Sequence, residues 1–152
     1  MKKIYFLLFL FLFVSGCSKD ISKMNEHNFK DYKCNYNIEG DVAIEALLSF
    51  PEYKGKDGLL CVLNNGSLET RAYVPLKNGV VDGNVITYFD DDSMFILSVW
   101  EVKKGVRDGI FKTYYSNGKI EEEGYYCNNE ICGKWTSYDE DGSVDTVNDY
   151  GK

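Results

Sequence analysis

The sequence predicts a mainly β fold, an antiparallel meander of repeated hairpins that forms an elongated twisted sheet. First, a glycine recurs at nearly equal spacings of 25, 26 and 24 residues, at Gly58, Gly83, Gly109 and Gly133. Second, a stretch rich in β-branched and aromatic residues follows each of these closing glycines. Third, a cluster of turn-forming residues follows each stretch. A period of this length is typical of repeat proteins.

The chain begins with the pattern of a secretory signal. A short basic start precedes an unbroken apolar run from Ile4 to Val14, and two small residues then come before Cys17. The run is eleven residues long, whereas a helix needs roughly 20 to cross a bilayer. We therefore interpret residues 1–16 as a signal peptide rather than as a transmembrane anchor.

The residues around Cys17 indicate lipid attachment. Val14–Cys17 resembles the lipobox of bacterial lipoproteins, in which the cysteine is acylated and becomes the mature N-terminus. This resemblance implies a protein held in the cell envelope by its lipid. Ser18 is similar to the residue found in lipoproteins sorted to the outer rather than the inner membrane, and Ser18–Asp20 resembles a signal for surface export. An ordinary secreted protein with Cys17 near the cleavage site is the alternative.

Charge and composition limit the partners. Residues 17–33 are polar and are predicted to be a tether, which leaves residues 34–152 as one repeat domain. The net charge of −7 becomes −9 when Lys2 and Lys3 leave with the signal peptide. Since nucleic acids and anionic headgroups attract clustered basic residues, we expect no nucleic-acid partner and no direct headgroup binding.

One segment interrupts the β pattern before the repeats begin. Asp41–Phe50 can form a short helix, with Asp41 as its cap and Pro51 ending it. An apolar strand is the alternative for this segment. In either form it is expected to cover an end or a face of the sheet.

Each repeat is predicted to run as strand, turn, strand and loop. Asn-Gly and Asp-Gly pairs provide the positive φ that tight turns need. The returning strands are clearest at Phe95–Trp100 and Ile120–Tyr126. The predicted turns are 64–66, 90–92, 116–118 and 139–142.

Side-chain alternation assigns two rows of residues to opposite faces of the sheet. The second position after each closing glycine forms an apolar row that we predict to face the core: Leu60, Val85, Phe111 and Trp135. The fifth position forms the opposite row: Leu63, Tyr88, Tyr114 and Tyr138. The three tyrosines are candidate binding residues, although cross-strand stacking that stiffens the sheet is the alternative explanation.

These repeats resemble a known family. Gly109–Ile120 and Gly133–Asp139 look like the bacterial variant of the MORN (membrane occupation and recognition nexus) repeat, and the resemblance extends from Tyr53 to the C-terminus. It implies a long twisted antiparallel sheet that serves as a scaffold or binding surface rather than as a catalyst. Some bacterial members are grouped as predicted antitoxins. The first unit is one residue short before Gly66, and Asp92 stands where a glycine is expected.

The cysteines are predicted to form two disulfides. Four cysteines besides Cys17 in an exported domain favour pairing, and four buried thiols are the alternative. Superposition of the three loops puts Cys127 and Cys132 where the other copies have a lysine and an aspartate, so both kinds of pair are expected to meet across the loop. A Cys127–Cys132 bond leaves Cys34 with Cys61.

Few residues suggest catalysis or metal binding. His27 is the only histidine and lies in the predicted tether, so a hydrolase triad lacks its base and a histidine-rich zinc site lacks its ligands. The acidic turns at 90–92 and 139–141 match no twelve-residue calcium loop. We therefore expect no enzyme activity, cofactor or metal.

Three functions remain at the level of sequence. The favoured one is a non-enzymatic envelope module that binds a protein or a glycan and contacts the membrane through its lipid. The second is an antitoxin or immunity lipoprotein that neutralises a toxin by protein contact, which suits an acidic surface. The third is a carboxylate-based envelope hydrolase that would use Glu121 and Glu123.

Overall fold

The structure, a computed structural model, describes residues 23–24, 26–27, 32–39, 53–63, 70–89 and 95–151. The predicted signal peptide, Cys17, the predicted helix at Asp41–Phe50 and the predicted turns at 64–66 and 90–92 lie outside these residues. Over the described ranges, no helix is long and apolar enough to span a membrane.

The described residues form one open sheet of ten strands, which confirms the predicted mainly β fold. The spatial order follows the chain order, except that the two-residue β4 pairs with the end of β3 beside this path. The strands are β1 (Tyr36–Glu39), β2 (Gly58–Leu63), β3 (Thr70–Lys77), β4 (Val80–Val81), β5 (Gly83–Tyr88), β6 (Ile96–Lys103), β7 (Val106–Tyr114), β8 (Ile120–Cys127), β9 (Glu130–Tyr138) and β10 (Val144–Asp149).

The pairing is antiparallel from β2 to β10, as the predicted meander requires. The exception is β1, which pairs with β2 in parallel, Tyr36 opposite Leu60 and Ile38 opposite Val62. A parallel pair needs a crossover connection of a dozen or more residues, and residues 40–57 separate these two strands. The repeat pattern could not predict this pair because β1 lies before the first repeat.

The predicted loops are shorter than the sequence indicated. Each contains a two-residue turn with positive φ at both positions: 54° and 78° at Asn78–Gly79, 52° and 79° at Lys104–Gly105, and 52° and 71° at Asn128–Asn129. This is the type I′ geometry, whose twist matches that of the flanking strands. Because the strands continue to the turn, β7 and β9 begin before their closing glycines, at Val106 and Glu130.

Both faces of the sheet are apolar in its first strands. We call the face with Leu60, Val85, Phe111 and Trp135 the tryptophan face, and the face with Leu63, Tyr88, Tyr114 and Tyr138 the tyrosine face. Leu60 and Val85 belong to one buried cluster, and Leu63 and Tyr88 belong to another. The predicted core row is buried here as expected, but the opposite face, which was not predicted to be a core, is buried as well. The physical reason is visible in β2, where the five consecutive residues 59–63 are apolar and buried, as occurs when a strand is covered on both sides.

Part of the predicted tether packs on the tyrosine face. Met24 is 1% exposed and lies in the same buried cluster as Ile86 and Tyr88. The Asn84 side chain donates a hydrogen bond to the Met24 carbonyl at 2.8 Å, and Tyr32 packs against the cluster. The packed domain therefore begins before Cys34.

Candidate interaction surfaces

The three candidate tyrosines differ in how accessible they are. Tyr88 is only 4% exposed and meets Tyr73 edge-on, with the ring centroids 5.9 Å apart. Burial raises the pKa of the Tyr88 hydroxyl above its ordinary value. Tyr114 is partly buried, and this burial, together with the nearby Glu26 and Glu123, raises its pKa to about 12. Tyr88 thus helps to form the packed interior, and Tyr114 lies at its margin.

Tyr138 joins a polar contact on the same face. Its hydroxyl donates a hydrogen bond to Oε1 of Glu123 at 2.7 Å, and this bond is the main cause of the raised Tyr138 pKa. Lys112 and Thr136 lie opposite Glu123 on the two neighbouring strands. The candidate hydrolase pair of Glu121 and Glu123 therefore has one member engaged by a tyrosine.

Aromatic rings form a continuous cluster on the tryptophan face. Phe111 stacks on Trp135 with the ring centroids 5.1 Å apart, and its edge meets Trp100 at 5.8 Å. The Arg107 guanidinium lies 4.7 Å from the Tyr126 centroid and 5.7 Å from that of Trp100, which is cation–π distance. This cluster extends the predicted core row past Val85.

The cluster depends on one glycine that the sequence analysis did not select. Gly124 lies opposite Phe111, and a Cβ at this position would run into the Trp135 ring. The missing side chain lets the indole lie flat across β8 and reach Phe111. The signal was present in the sequence, since a glycine within a strand often marks a close approach.

Two of the closing glycines, Gly58 and Gly109, leave room for a polar side chain from a neighbouring segment. At Gly109, a Cβ would meet the Glu101 carboxylate, which accepts a hydrogen bond from the Ile110 N–H at 3.1 Å. At Gly58, the Asn35 amide occupies the equivalent space and accepts from the Leu59 N–H at 2.8 Å. Both glycines also have φ of 138°, a region that other residues rarely adopt.

The turns of successive units are hydrogen-bonded to one another. In each two-residue turn, the N–H of the second residue donates a hydrogen bond to a backbone carbonyl of the preceding unit. The acceptor residue lies two positions before the closing glycine of that unit. The bonds are Gly79 to Lys56 at 2.6 Å, Gly105 to Val81 at 2.8 Å and Asn129 to Arg107 at 2.8 Å. The Asn129 side chain also accepts from the Arg107 N–H at 2.9 Å. Successive repeats are thus joined by hydrogen bonds between their turns as well as by the pairing of their strands.

The cysteines form the pairs that the loop alignment predicts. Cys34 is bonded to Cys61 and Cys127 to Cys132, with Cα–Cα distances of 5.7 and 5.8 Å. The first bond holds the segment before β1 to β2, and the second spans the turn between β8 and β9. In the aligned loop of the preceding unit, Lys103 and Asp108 form an ion pair at 3.2 Å. The ion pair in one unit and the disulfide in the next therefore join the same two positions across the loop.

A groove of about 360 Å³ opens on the tyrosine face beside the N-terminal segment. Its walls carry both signs of charge, including Lys112 with its ammonium 3.8 Å from the Glu26 carboxylate.

Among the described residues, no group of three His, Cys, Asp or Glu side chains is placed to hold a metal ion. The acidic turn 139–141 is organised by its own contacts, since Asp141 accepts hydrogen bonds from the Ser143 hydroxyl and N–H at 2.6 and 2.7 Å. These bonds lower the pKa of Asp141.

Comparison with known sequences finds a family match within the repeats. Residues 107–128 match the family described as the MORN repeat variant, and this segment covers β7 from its second residue, the turn after it and all of β8. The match supports the predicted MORN-like repeats. A search of curated proteins finds no match, and a search of solved structures finds none either.

Proposed function

We propose that this chain is a bacterial envelope lipoprotein that works as a non-enzymatic interaction module. Lipid on Cys17 would anchor it, in the outer membrane rather than the inner, and the repeat sheet would present a surface to a protein or a glycan. The basis for the anchor is the lipobox-like segment before Cys17. The match to the MORN repeat variant and the open sheet support the interaction role.

The coupling between successive repeats is the observation that most strongly supports this role. Every unit is tied to the one before it by strand pairing and by a turn-to-carbonyl hydrogen bond. A scaffold built in this way keeps its surface in one arrangement, so less entropy is lost when a partner binds. Exposed apolar side chains on the last strands, such as Tyr125 and Val147, each 53% exposed, provide area for contact.

We propose no catalytic role and no cofactor. The single histidine, His27, lies in the N-terminal segment, where 86% of its side chain is exposed, and a general base normally has to be held against its substrate. Glu123, one of the two candidate carboxylates, accepts a hydrogen bond from Tyr138. Turnover of cell-wall substrates that is lost in Glu123→Gln would contradict this part of the proposal.

The anchor is tested with the full chain expressed in a bacterial host. We expect the wild-type protein to fractionate with the outer membrane and to carry acyl chains on Cys17 by mass spectrometry. The Cys17→Ser variant should lose both properties because it has no thiol to acylate. A wild-type protein recovered in soluble form without acyl mass would mean that it is an ordinary secreted protein.

The interaction role is tested by crosslinking in intact envelopes. The matched control is a fusion of residues 1–33 to an unrelated domain, which keeps the proposed anchor and tether but lacks the sheet. We expect a defined protein or glycan to crosslink to the full chain and not to the control. An identical set of crosslinked molecules from both proteins would refute the interaction role.

The charge of the chain favours a second candidate, an antitoxin or immunity lipoprotein. The net charge of −7 on the full chain suits a basic partner. The captured partner would then be harmful when expressed alone and harmless when expressed together with this chain. A partner that is harmless in both conditions would exclude this candidate.

A further inference from the structure

The last strand of the sheet has an open edge. All six residues of β10 are exposed, and in the described part of the chain no strand pairs with its outer side. Such an edge presents a row of unpaired N–H and C=O groups that can accept another strand. By contrast, β1 at the opposite edge has only four residues, and short edge strands are a common protection against unwanted pairing.

The register identifies which backbone groups of β10 face outward. The Tyr150 N–H donates to the Gly133 carbonyl at 2.8 Å, so it faces β9. Because successive backbone groups of an extended strand alternate in direction, those of Asn148 also face β9 and those of Val147 and Asp149 face away from it. From Thr146 to Asp149 the register with β9 has no irregularity. A partner strand would therefore bond to Val147 and Asp149.

The side chains on this edge restrict the partner. Val147 is 53% exposed, and Asp145 and Asp149 lie two residues to either side of it. Residues 139–151 include five acidic residues and no lysine, arginine or histidine, and the one basic residue paired with this strand is Lys134 of β9, opposite Asp149. In an antiparallel pair of two copies centred on Val147, Asp149 of each copy would lie near Asp145 of the other, which is at the irregularity between Val144 and Thr146. Bringing like charges together across two strands is destabilising, which disfavours a second copy.

We propose that β10 is the docking edge for an extended segment of a partner protein in which basic and apolar residues alternate. The segment would add to the sheet as a further antiparallel strand. Main-chain hydrogen bonds to Val147 and Asp149 would provide affinity, and basic side chains facing the two aspartates would provide specificity. The inference rests on the proposed interaction role and deepens it, because it names the surface and the chemistry of the partner.

The test uses the mature lipoprotein in detergent and a defined probe. The probe is a nine-residue peptide of alternating lysine and valine with blocked ends, and binding is measured by isothermal titration calorimetry. We expect a peptide with glutamate in place of lysine to bind at least tenfold more weakly. A peptide N-methylated at alternate residues should lose binding as well, because it cannot donate along one edge. Equal binding of the glutamate peptide would overturn the charge argument.

Two variants of the protein separate the backbone from the side chain. Val147→Pro removes the outward N–H and leaves the bonds to β9 in place. An edge strand can tolerate a proline at such a position because the lost N–H faces away from the sheet. Val147→Ala keeps this N–H and serves as the matched control. We expect at least a tenfold loss of affinity for Val147→Pro and less than a threefold loss for Val147→Ala. Unchanged affinity for a folded Val147→Pro protein would mean that the edge is not the site.

Further readouts keep the test decisive. On addition of the lysine peptide to the wild-type protein, amide exchange should slow at Val147 and Asp149, and the absence of this protection would overturn the proposal even if Val147→Pro fails to fold. Asp149→Lys should bind the lysine peptide at least tenfold more weakly. A dimer of the free protein that dissociates in Val147→Pro would assign the edge to a second copy instead.

The outcome is separable from that of the proposed function. If the envelope partner still crosslinks to Val147→Pro, the interaction role holds and the docking edge is wrong. If the lysine peptide binds at β10 but no envelope molecule crosslinks to the sheet, the edge can bind an added strand and the proposed interaction role in the envelope is wrong.

Discussion

The N-terminal half of the sheet, β1–β6, and the C-terminal half, β7–β10, have the same hairpin geometry but very different burial. In β2 and β5 most side chains are buried, whereas every residue of β10 is exposed. The halves share the same type I′ turns and cross-unit hydrogen bonds. The repeat pattern therefore specifies the backbone of each unit. It does not specify how many of the side chains on that backbone are buried.

The difference follows from what fills the strand positions. Residues 59–63 of β2 are apolar without interruption, and Met24 covers part of one side. In β8, Glu121–Glu123 are three consecutive charged residues, which no core can bury without partners. The C-terminal half therefore keeps its one large apolar cluster, around Trp135, on a single face. Its exposed remainder is the part available to a partner.

The largest expected effect comes from removing one isoleucine from each half. Ile86 is 0% exposed in β5 and Ile110 is 41% exposed in β7. Deleting a buried isoleucine side chain costs about 2 to 5 kcal/mol of unfolding free energy, because it removes apolar contacts and leaves a cavity. We expect Ile86→Ala to fall in this range and Ile110→Ala to lose less than about 1 kcal/mol. Urea unfolding measures both, and equal losses would refute the contrast between the halves.

The two disulfides provide a second comparison. The bond from Cys34 spans 27 residues and that from Cys127 spans 5. In the chain-entropy account, the longer loop stabilises the protein by about 3.5 kcal/mol and the shorter by about 2 kcal/mol. Cys34→Ser and Cys127→Ser remove the exposed partner of each pair, so the variants are matched. A larger loss of unfolding free energy for Cys127→Ser would show that local stiffening outweighs loop closure.

Gly124 tests the aromatic cluster of the C-terminal half. Gly124→Ala places a methyl group against the Trp135 ring, and overpacking of this kind costs about 1 to 3 kcal/mol. We expect a lower melting temperature and altered tryptophan fluorescence, because the indole has to move away from Phe111. Gly118→Ala is the control, since nothing lies within 4 Å of its added Cβ and its cost comes from φ of 81° alone. Unchanged fluorescence in Gly124→Ala would mean that the stack does not depend on this glycine.

The smallest effect is confined to alkaline pH. Burial raises the pKa of Tyr88 and brings that of Tyr114 to about 12, compared with about 10 for an unfolded tyrosine. Above pH 10 the unfolded state releases protons that the folded state keeps, so stability falls as the pH rises. Tyr88→Phe should make this fall shallower between pH 10 and 12. Tyr125→Phe, at an exposed position, is the control, and identical pH profiles for both would remove Tyr88 as a cause.

Much of the fold could be predicted because its signals are local. The glycine period, the strand-forming stretches and the aligned loops predicted the hairpins and the Cys127–Cys132 pair, since each depends on residues close in sequence or equivalent in successive repeats. The Cys34–Cys61 pair followed because these two cysteines remained. The burial of both faces at β2 was also readable from its continuous apolar run. The parallel β1–β2 pair was not, because it joins segments separated by residues 40–57.

The candidate site was less predictable. The alternation of side chains predicted that Tyr88, Tyr114 and Tyr138 share a face, but it could not distinguish the buried Tyr88 from the more accessible Tyr138. Met24, which helps to bury Tyr88, lies in a segment that looks like a polar tether. Likewise, the open edge at β10 depends on which strands pair, and strand pairing is set by the whole sheet.

The amino-acid sequence by itself determined the repeat period, the turns at 116–118 and 139–142 and the alternation of side chains. These features arise from steric preferences that act over a few residues. Only the tertiary structure decided which side chains are buried, where the N-terminal segment packs and which strand edge stays open. Burial and pairing depend on atoms brought together from distant positions, so the same hairpin becomes interior at one end of the sheet and accessible surface at the other.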